Sequence, residues 1–152
     1  MSQAALQTSH TVEVPVDARK AFELFTTGIN RWWKRGTYYW NDRARARGLR
    51  FEPHVGGRFI EVYDDTTGEG FEIGRVLVWE PGRRIVYSWR QTDWGPEEKT
   101  QVEVRFEPIE TGTRVTIVHS GWDTVKNGEE LSRGYRMGHV ELLGWYTEAA
   151  QV

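Results

Sequence analysis

Between Gly74 and Trp89 the chain carries two apolar-rich runs, Val76 to Trp79 and Ile85 to Trp89, joined by Glu80-Pro81-Gly82-Arg83. Val, Ile, Tyr and Trp fit a pleated, half-buried surface, and Pro followed by Gly sets up a type I or type II turn. The stretch therefore predicts a β-hairpin. Ile85, Tyr87 and Trp89 alternate with Val86, Ser88 and Arg90, which gives the sheet one packed, aromatic face and one wet face. Further strands are predicted at Thr11 to Val16, Leu49 to Pro53, Gly57 to Tyr63, Phe71 to Trp79, Thr100 to Phe106 and Thr113 to Ser120. Pro15 places the first of these at a sheet edge or a strand end, since proline has no N–H to give a ladder.

Two segments change period. Ala18 to Thr27 has a helical stripe of Ala21, Phe22, Leu24 and Phe25, with Asp17 as its N-cap and Gly28 as its stop. A short second helix, about Ile29 to Lys34, carries Trp32 and Trp33. Arg35 to Arg50 has no period and reads as a loop rich in Tyr and Arg. After a polar linker, Asp123 to Gly128, a last helix runs from about Glu129 to Ala150 with the stripe Leu131, Tyr135, Gly138, Leu142, Trp145 and Ala149. Gly134, Gly138 and Gly144 each cost a helix interior about 1 kcal/mol relative to Ala. They are either tolerated or mark a close approach or space left beside a cavity. The order is strand, two helices, six strands, long helix: an α+β fold in one domain spanning 1–152, with its core at about 11–150. An antiparallel sheet with one apolar face needs a cover, and only the last helix is long enough to supply it. A curved sheet gripping one helix leaves a void where a ligand fits.

Composition narrows the chemistry. No cysteine is present, which removes disulfides, thiol nucleophiles and thiolate metal sites. A formal charge of −2 gives no general attraction to nucleic acid or anionic membranes. Arg43, Arg45, Arg47 and Arg50, flanked by Asp42 and Glu52, form either a solvated loop or an anion site. No apolar run approaches the roughly 20 residues that cross a bilayer, and MSQAALQTSH lacks the basic and apolar regions of a signal peptide. The expectation is a cytoplasmic protein with no membrane insertion. Gly68, Gly70 and Gly74 do not form a phosphate loop, the four histidines lack metal-ligand spacing, and no G-x-S-x-G elbow occurs, so neither cofactor nor metal is expected. The eight tryptophans fill a core or line an apolar pocket, and their number alone does not separate the two.

In order and spacing, several motifs resemble the helix-grip proteins of the START/SRPBCC (birch-pollen-allergen-like) superfamily, and within it the branch named after activators of the Hsp-ninety ATPase. They are VEVPVDARKAFELFTT, the Trp32-Trp33 pair, Val55-Gly56-Gly57-Arg58, GRVLVWEPGRRIVYSW, and Gly112-Thr113 leading into VTIVHSGW, followed by the closing amphipathic helix. The resemblance spans about Thr11 to Ala150. It implies a curved, seven-stranded antiparallel sheet wrapped around a long C-terminal helix, with two short helices after the first strand. It also implies a hydrophobic cavity between sheet and helix, whose occupants in the family include lipids, polyketides and hormones. One departure stands out: the branch usually carries Gly-Trp where this chain has Gly138-His139.

His119 shares a strand face with Val115 and Ile117 and is a satisfied core group, a ligand anchor or a proton-transfer group. Glu61, with Phe59 and Tyr63 as face-mates, is an inward carboxylate in one register and solvated in the other. Arg136 and His139 lie on the last helix near Tyr135, where either could meet Glu61 or a ligand carboxylate. Tyr87, Trp89, Trp122 and Trp145 are cavity walls or plain core. Trp32 and Trp33 divide between packing under the sheet and the cavity mouth. The leading expectation is a protein that binds a hydrophobic or aromatic small molecule. The alternatives are a cyclase, dehydratase or hydrolase using the same cavity, and a co-chaperone-like activator. A chaperone partner is not expected, because the activators' additional chaperone-binding domain is missing here. Monomer and homodimer both remain open.

Overall fold

The computed structural model describes residues 6–151. Part of the stretch weighed as a signal peptide, residues 1–5, lies outside them. The elements are β1 (Gln7–Val14), α1 (Ala18–Phe25), β2 (Gly48–Phe51), β3 (Arg58–Val62), β4 (Gly70–Glu80), β5 (Arg84–Trp89), β6 (Thr100–Ile109), β7 (Gly112–Ser120) and α2 (Gly128–Ala150), with single 3-10 turns at Ile29–Arg31 and Trp122–Thr124. All strand pairs are antiparallel, in the order β1-β7-β6-β5-β4-β3-β2. This is the helix-grip arrangement: a curved sheet of seven strands around one long helix. No described helix is long and apolar enough to cross a membrane.

The central hairpin forms as its turn residues dictate. Arg83 N donates to Glu80 O at 2.9 Å and Gly82 has φ +77°, so Pro81 and Gly82 occupy the middle of a type II turn. Ile85 and Tyr87 are buried on the concave face. Val86, expected on the wet face, is also buried, in a row with Val78, Glu103 and Val118 across the convex side. β1 is an edge strand, as Pro15 requires, and stops at Val14. It begins earlier than the apolar pattern suggested because polar residues, Thr8 and His10, continue the ladder opposite His119 and Ile117.

Asp17 caps α1 by accepting from Lys20 N at 2.9 Å. Phe22 and Phe25 then pack edge-on against Trp79, Phe106 and Tyr146. The predicted second helix is only one 3-10 turn. Asn30 leaves the helical pattern to bond the backbone of β2, donating to Leu49 O at 2.9 Å and accepting from Leu49 N at 2.7 Å.

The buried line of α2 also differs from the expected one. Ser132, His139, Leu142, Leu143, Tyr146 and Ala150 are buried, whereas Leu131, Tyr135, Trp145 and Ala149 are only half-buried. Paired apolar positions at 142–143, 145–146 and 149–150 fit either stripe at a 3.6-residue period. α1 decides between them, because the Tyr146 hydroxyl donates to Ala21 O at 2.6 Å.

Candidate functional site

Among the strands, α2 lies closest to β1, so the helix leaves much of the concave face of β3 to β6 uncovered. There the side chains surround a partly open cavity of about 810 Å³. Its walls are Phe25, Trp32, Trp33, Trp40, Leu49, Ile73, Tyr87, Trp89, Val102, Ile117, Leu142 and Leu143. Polar groups reach it from His119 on β7, from Tyr135 and His139 on α2, and from Glu61 on β3.

Residues 34–47 form a strap across the front. Trp33 Nε1 donates to Tyr39 O at 3.1 Å, and Trp40 Nε1 donates to Lys34 O at 2.9 Å. The Tyr39 hydroxyl donates to Glu141 of α2 at 2.5 Å, and its ring stands edge-on to Trp145. Burial first, then the Glu141 carboxylate, push the Tyr39 pKa up to about 12. Asn41 Oδ1 accepts from Thr92 N at 3.1 Å, which ties the strap to the β5–β6 loop.

The inner tie is Glu61. Its side chain is buried, and its oxygens accept from Asn41 N at 2.8 Å, Asn41 Nδ2 at 3.1 Å, Asp42 N at 2.9 Å and the Tyr63 hydroxyl at 2.8 Å. The register is the inward one, and both oxygens are engaged in holding the strap. Arg45 lies 4.3 Å over the Tyr63 ring and pairs with Asp42 at 2.7 Å, while Arg43 stacks on the exposed Tyr38. These two arginines of the cluster brace the strap and rim.

His119 is fully buried. Thr100 Oγ1 donates to Trp89 O at 3.2 Å, and a hydroxyl has one proton to give. The 2.6 Å contact between Thr100 and His119 is therefore Nε2–H donating to the hydroxyl oxygen. His119 Nδ1 is left as the acceptor, and His139 Nε2–H donates to it at 3.1 Å. His139 Nδ1 remains a lone pair, buried and without a partner among the described residues. Burial, then the nearby His139, hold the His119 pKa well below its ordinary value. Burial, then His10, bring His139 down to about 4. Both imidazoles are neutral near pH 7, the state the shared hydrogen bond needs.

Of the other expected site residues, Trp33, Tyr87 and Trp89 line the cavity. Trp89 Nε1 also donates to the Tyr135 hydroxyl at 2.9 Å, and Gln91 Nε2 donates to the same oxygen. Trp122 does not reach the cavity: it is fully buried behind His119, with Trp94 and Val125. Arg136 is exposed, because one residue past Tyr135 turns about 100° around the helix. Trp145 is half-buried outside the cavity, behind Tyr39 and Lys34. Trp32 anchors toward the core through Leu24 O at 2.9 Å while Trp33 holds the strap. Sequence reasoning missed Tyr39, Trp40, Asn41 and Trp94. The one signal was the aromatic run Tyr38-Tyr39-Trp40 inside an otherwise polar loop.

The helix glycines differ in role. A Cβ at Gly138 would stand 3.2 Å from Tyr39 Cε1, so the strap lies directly on this position; Gly134 borders the cavity, and a Cβ at Gly144 would meet nothing within 4 Å. Gly144→Ala is expected to raise stability by about 1 kcal/mol through helix propensity. Gly138→Ala gains little or none of this because Tyr39 must shift. Chemical denaturation of the two variants measures the difference.

The AHSA1 family, described as Activator of Hsp90 ATPase homolog 1-like protein, matches residues 15–147. Solved structures share the fold at low identity. Protein MLL2253 from Mesorhizobium loti is 18% identical with a TM-score of 0.70, covering 96% of this chain and 97% of that one. The Aha1 dimer from Colwellia psychrerythraea, solved in solution, is 16% identical with a TM-score of 0.70, covering 97% of each chain. CalU16 from Micromonospora echinospora is 14% identical with a TM-score of 0.60, covering 97% and 83%. No curated protein matches.

Proposed function

This chain belongs to the AHSA1 family of Activator of Hsp90 ATPase homolog 1-like proteins, and from that premise and the site geometry we propose that it binds a hydrophobic or aromatic small molecule between sheet and α2. The observation that carries this reading is the aromatic-walled space of about 810 Å³ under a strap tied down at three places. Apolar pockets of this size bury most of a drug-sized ligand. Burying apolar surface contributes about 25 cal/mol per Å², so desolvation against the rings supplies the affinity.

Binding is favoured over proton transfer by the state of the two acid–base candidates. Glu61 has both oxygens engaged, and His119 has both nitrogens engaged. A group whose polar atoms are already committed holds structure rather than exchanging protons with an occupant.

Native mass spectrometry of the purified protein, followed by a thermal-shift screen of neutral aromatic compounds, tests the proposal. A ligand at a hundredfold excess over its Kd stabilises the native state by about 2.7 kcal/mol. For a chain of this size that raises Tm by about 8 °C. Neither adduct nor shift across a broad library would overturn it.

A further inference from the structure

Five of the six tyrosines have an evident use for their hydroxyl. Tyr39 bonds Glu141, Tyr63 bonds Glu61, Tyr146 bonds Ala21 O, Tyr135 meets Trp89 and Gln91, and Tyr38 is exposed to water. Tyr87 is the exception. It is only 5% exposed, it lines the cavity, and its hydroxyl has no hydrogen-bond partner among the described residues. Its position is fixed from both sides. On β5 it lies between Val76 of β4 and Val102 of β6, and Phe51 and Phe59 close on the ring edge-on, each 5.2 Å away. The hydroxyl cannot swing to a protein partner without moving that aromatic cluster. With no protein acceptor in reach and its ring in the cavity wall, the hydroxyl is free to donate to a molecule in the cavity.

We infer that the cavity takes a neutral apolar ligand carrying an acceptor oxygen, and that this oxygen accepts the Tyr87 proton at the cavity floor. The inference rests on the proposed ligand-binding reading and adds the chemistry of the occupant. Tyr87 is a donor at neutral pH, since burial keeps its phenol protonated. The preference for a neutral group follows from the charges around the cavity. Glu61, Asp93, Glu98 and Glu130 border it, and the only cationic side chain among its lining residues is Lys126. A ligand carboxylate would enter past more negative than positive charge and find no guanidinium inside. A ketone, ester or ether oxygen meets neither obstacle.

Isothermal titration with three naphthalenes of matched shape tests this: the methyl ketone, its isopropenyl isostere with CH2 in place of oxygen, and the carboxylate. Wild-type protein is expected to bind the ketone about tenfold more tightly than the isopropenyl compound, the effect of one buried hydrogen bond. The carboxylate should bind most weakly. In Tyr87→Phe the ketone's advantage disappears while affinity for the isopropenyl compound is retained. The ligand-free variant should melt within about 1 °C of wild type, because the hydroxyl bonds no other residue. A hydroxyl with a purely structural role would lower Tm instead. Equal binding of ketone and isostere by wild type, a ketone preference that survives in Tyr87→Phe, or a carboxylate bound as tightly as the ketone would overturn the inference and leave the cavity reading standing. Binding of none of the three would overturn both.

Discussion

Glu61→Ala is expected to cost about 4 kcal/mol and to release the strap at residues 34–47. A buried carboxylate with charge-assisted hydrogen bonds is expensive to delete because its partners are left without an acceptor. Here those partners are the backbone N–H groups of Asn41 and Asp42, the Asn41 amide and the Tyr63 hydroxyl. Glu61→Gln separates shape from charge. A glutamine oxygen can still accept from Asn41, but its NH2 group would face the Asp42 N–H, donor against donor. That variant is expected to lose about 2 kcal/mol. Chemical denaturation gives the energies, and hydrogen exchange at the Asn41 and Asp42 amides reports the strap directly. A loss below about 1 kcal/mol in Glu61→Ala, or unchanged protection of the two amides, would show that the carboxylate does not hold it.

The second large effect is acid destabilisation through the histidine pair. His139 titrates near 4 in the folded protein, held down by burial and then by His10, against about 6.5 when unfolded. Between those values the unfolded chain binds more protons than the native state, so stability rises with pH through the window and falls as the solution is acidified. His139 alone then accounts for a loss of about 2 kcal/mol from about pH 7 to pH 5. His119, also held low by burial and by His139, acts in the same direction. In His139→Gln, which keeps a donor toward His119 and cannot become charged, the pH dependence should flatten by about the His139 share. Urea denaturation of both proteins across this range is the measurement. A wild-type midpoint that is constant from pH 7 to pH 5 would contradict the buried neutral pair.

Much of the architecture was legible because periodicity is a local signal. Alternation placed Val102, Val104 and Phe106 on one face of β6, and Pro81-Gly82 fixed the central turn. The inward face of Glu61 could be paired with Phe59 and Tyr63, but not its purpose, since its partners Asn41 and Asp42 lie in an aperiodic loop some distance away in sequence. The strap was illegible for the same reason. Its order comes from tertiary hydrogen bonds to Glu141, Glu61 and Thr92, not from a repeating pattern. On α2 the sequence offered two adjacent stripes, and only the Tyr146 bond to α1 selects one. Arg136 and His139 looked equivalent along the chain, yet Arg136 is exposed to water and His139 is buried in the core.

The central claim is that an apolar ligand occupies the space between sheet and α2, and the indole N–H signals of the eight tryptophans test it most directly. Trp33, Trp40 and Trp89 line the cavity, whereas Trp79 and Trp122 are absent from its walls. Titrating a neutral aromatic compound into labelled protein should shift the first three indole signals in two-dimensional NMR, with one common saturation point, and leave Trp79 and Trp122 nearly unmoved. Shifts confined to Trp79 and Trp122, or none at a concentration that saturates a hydrophobic probe elsewhere, would contradict it.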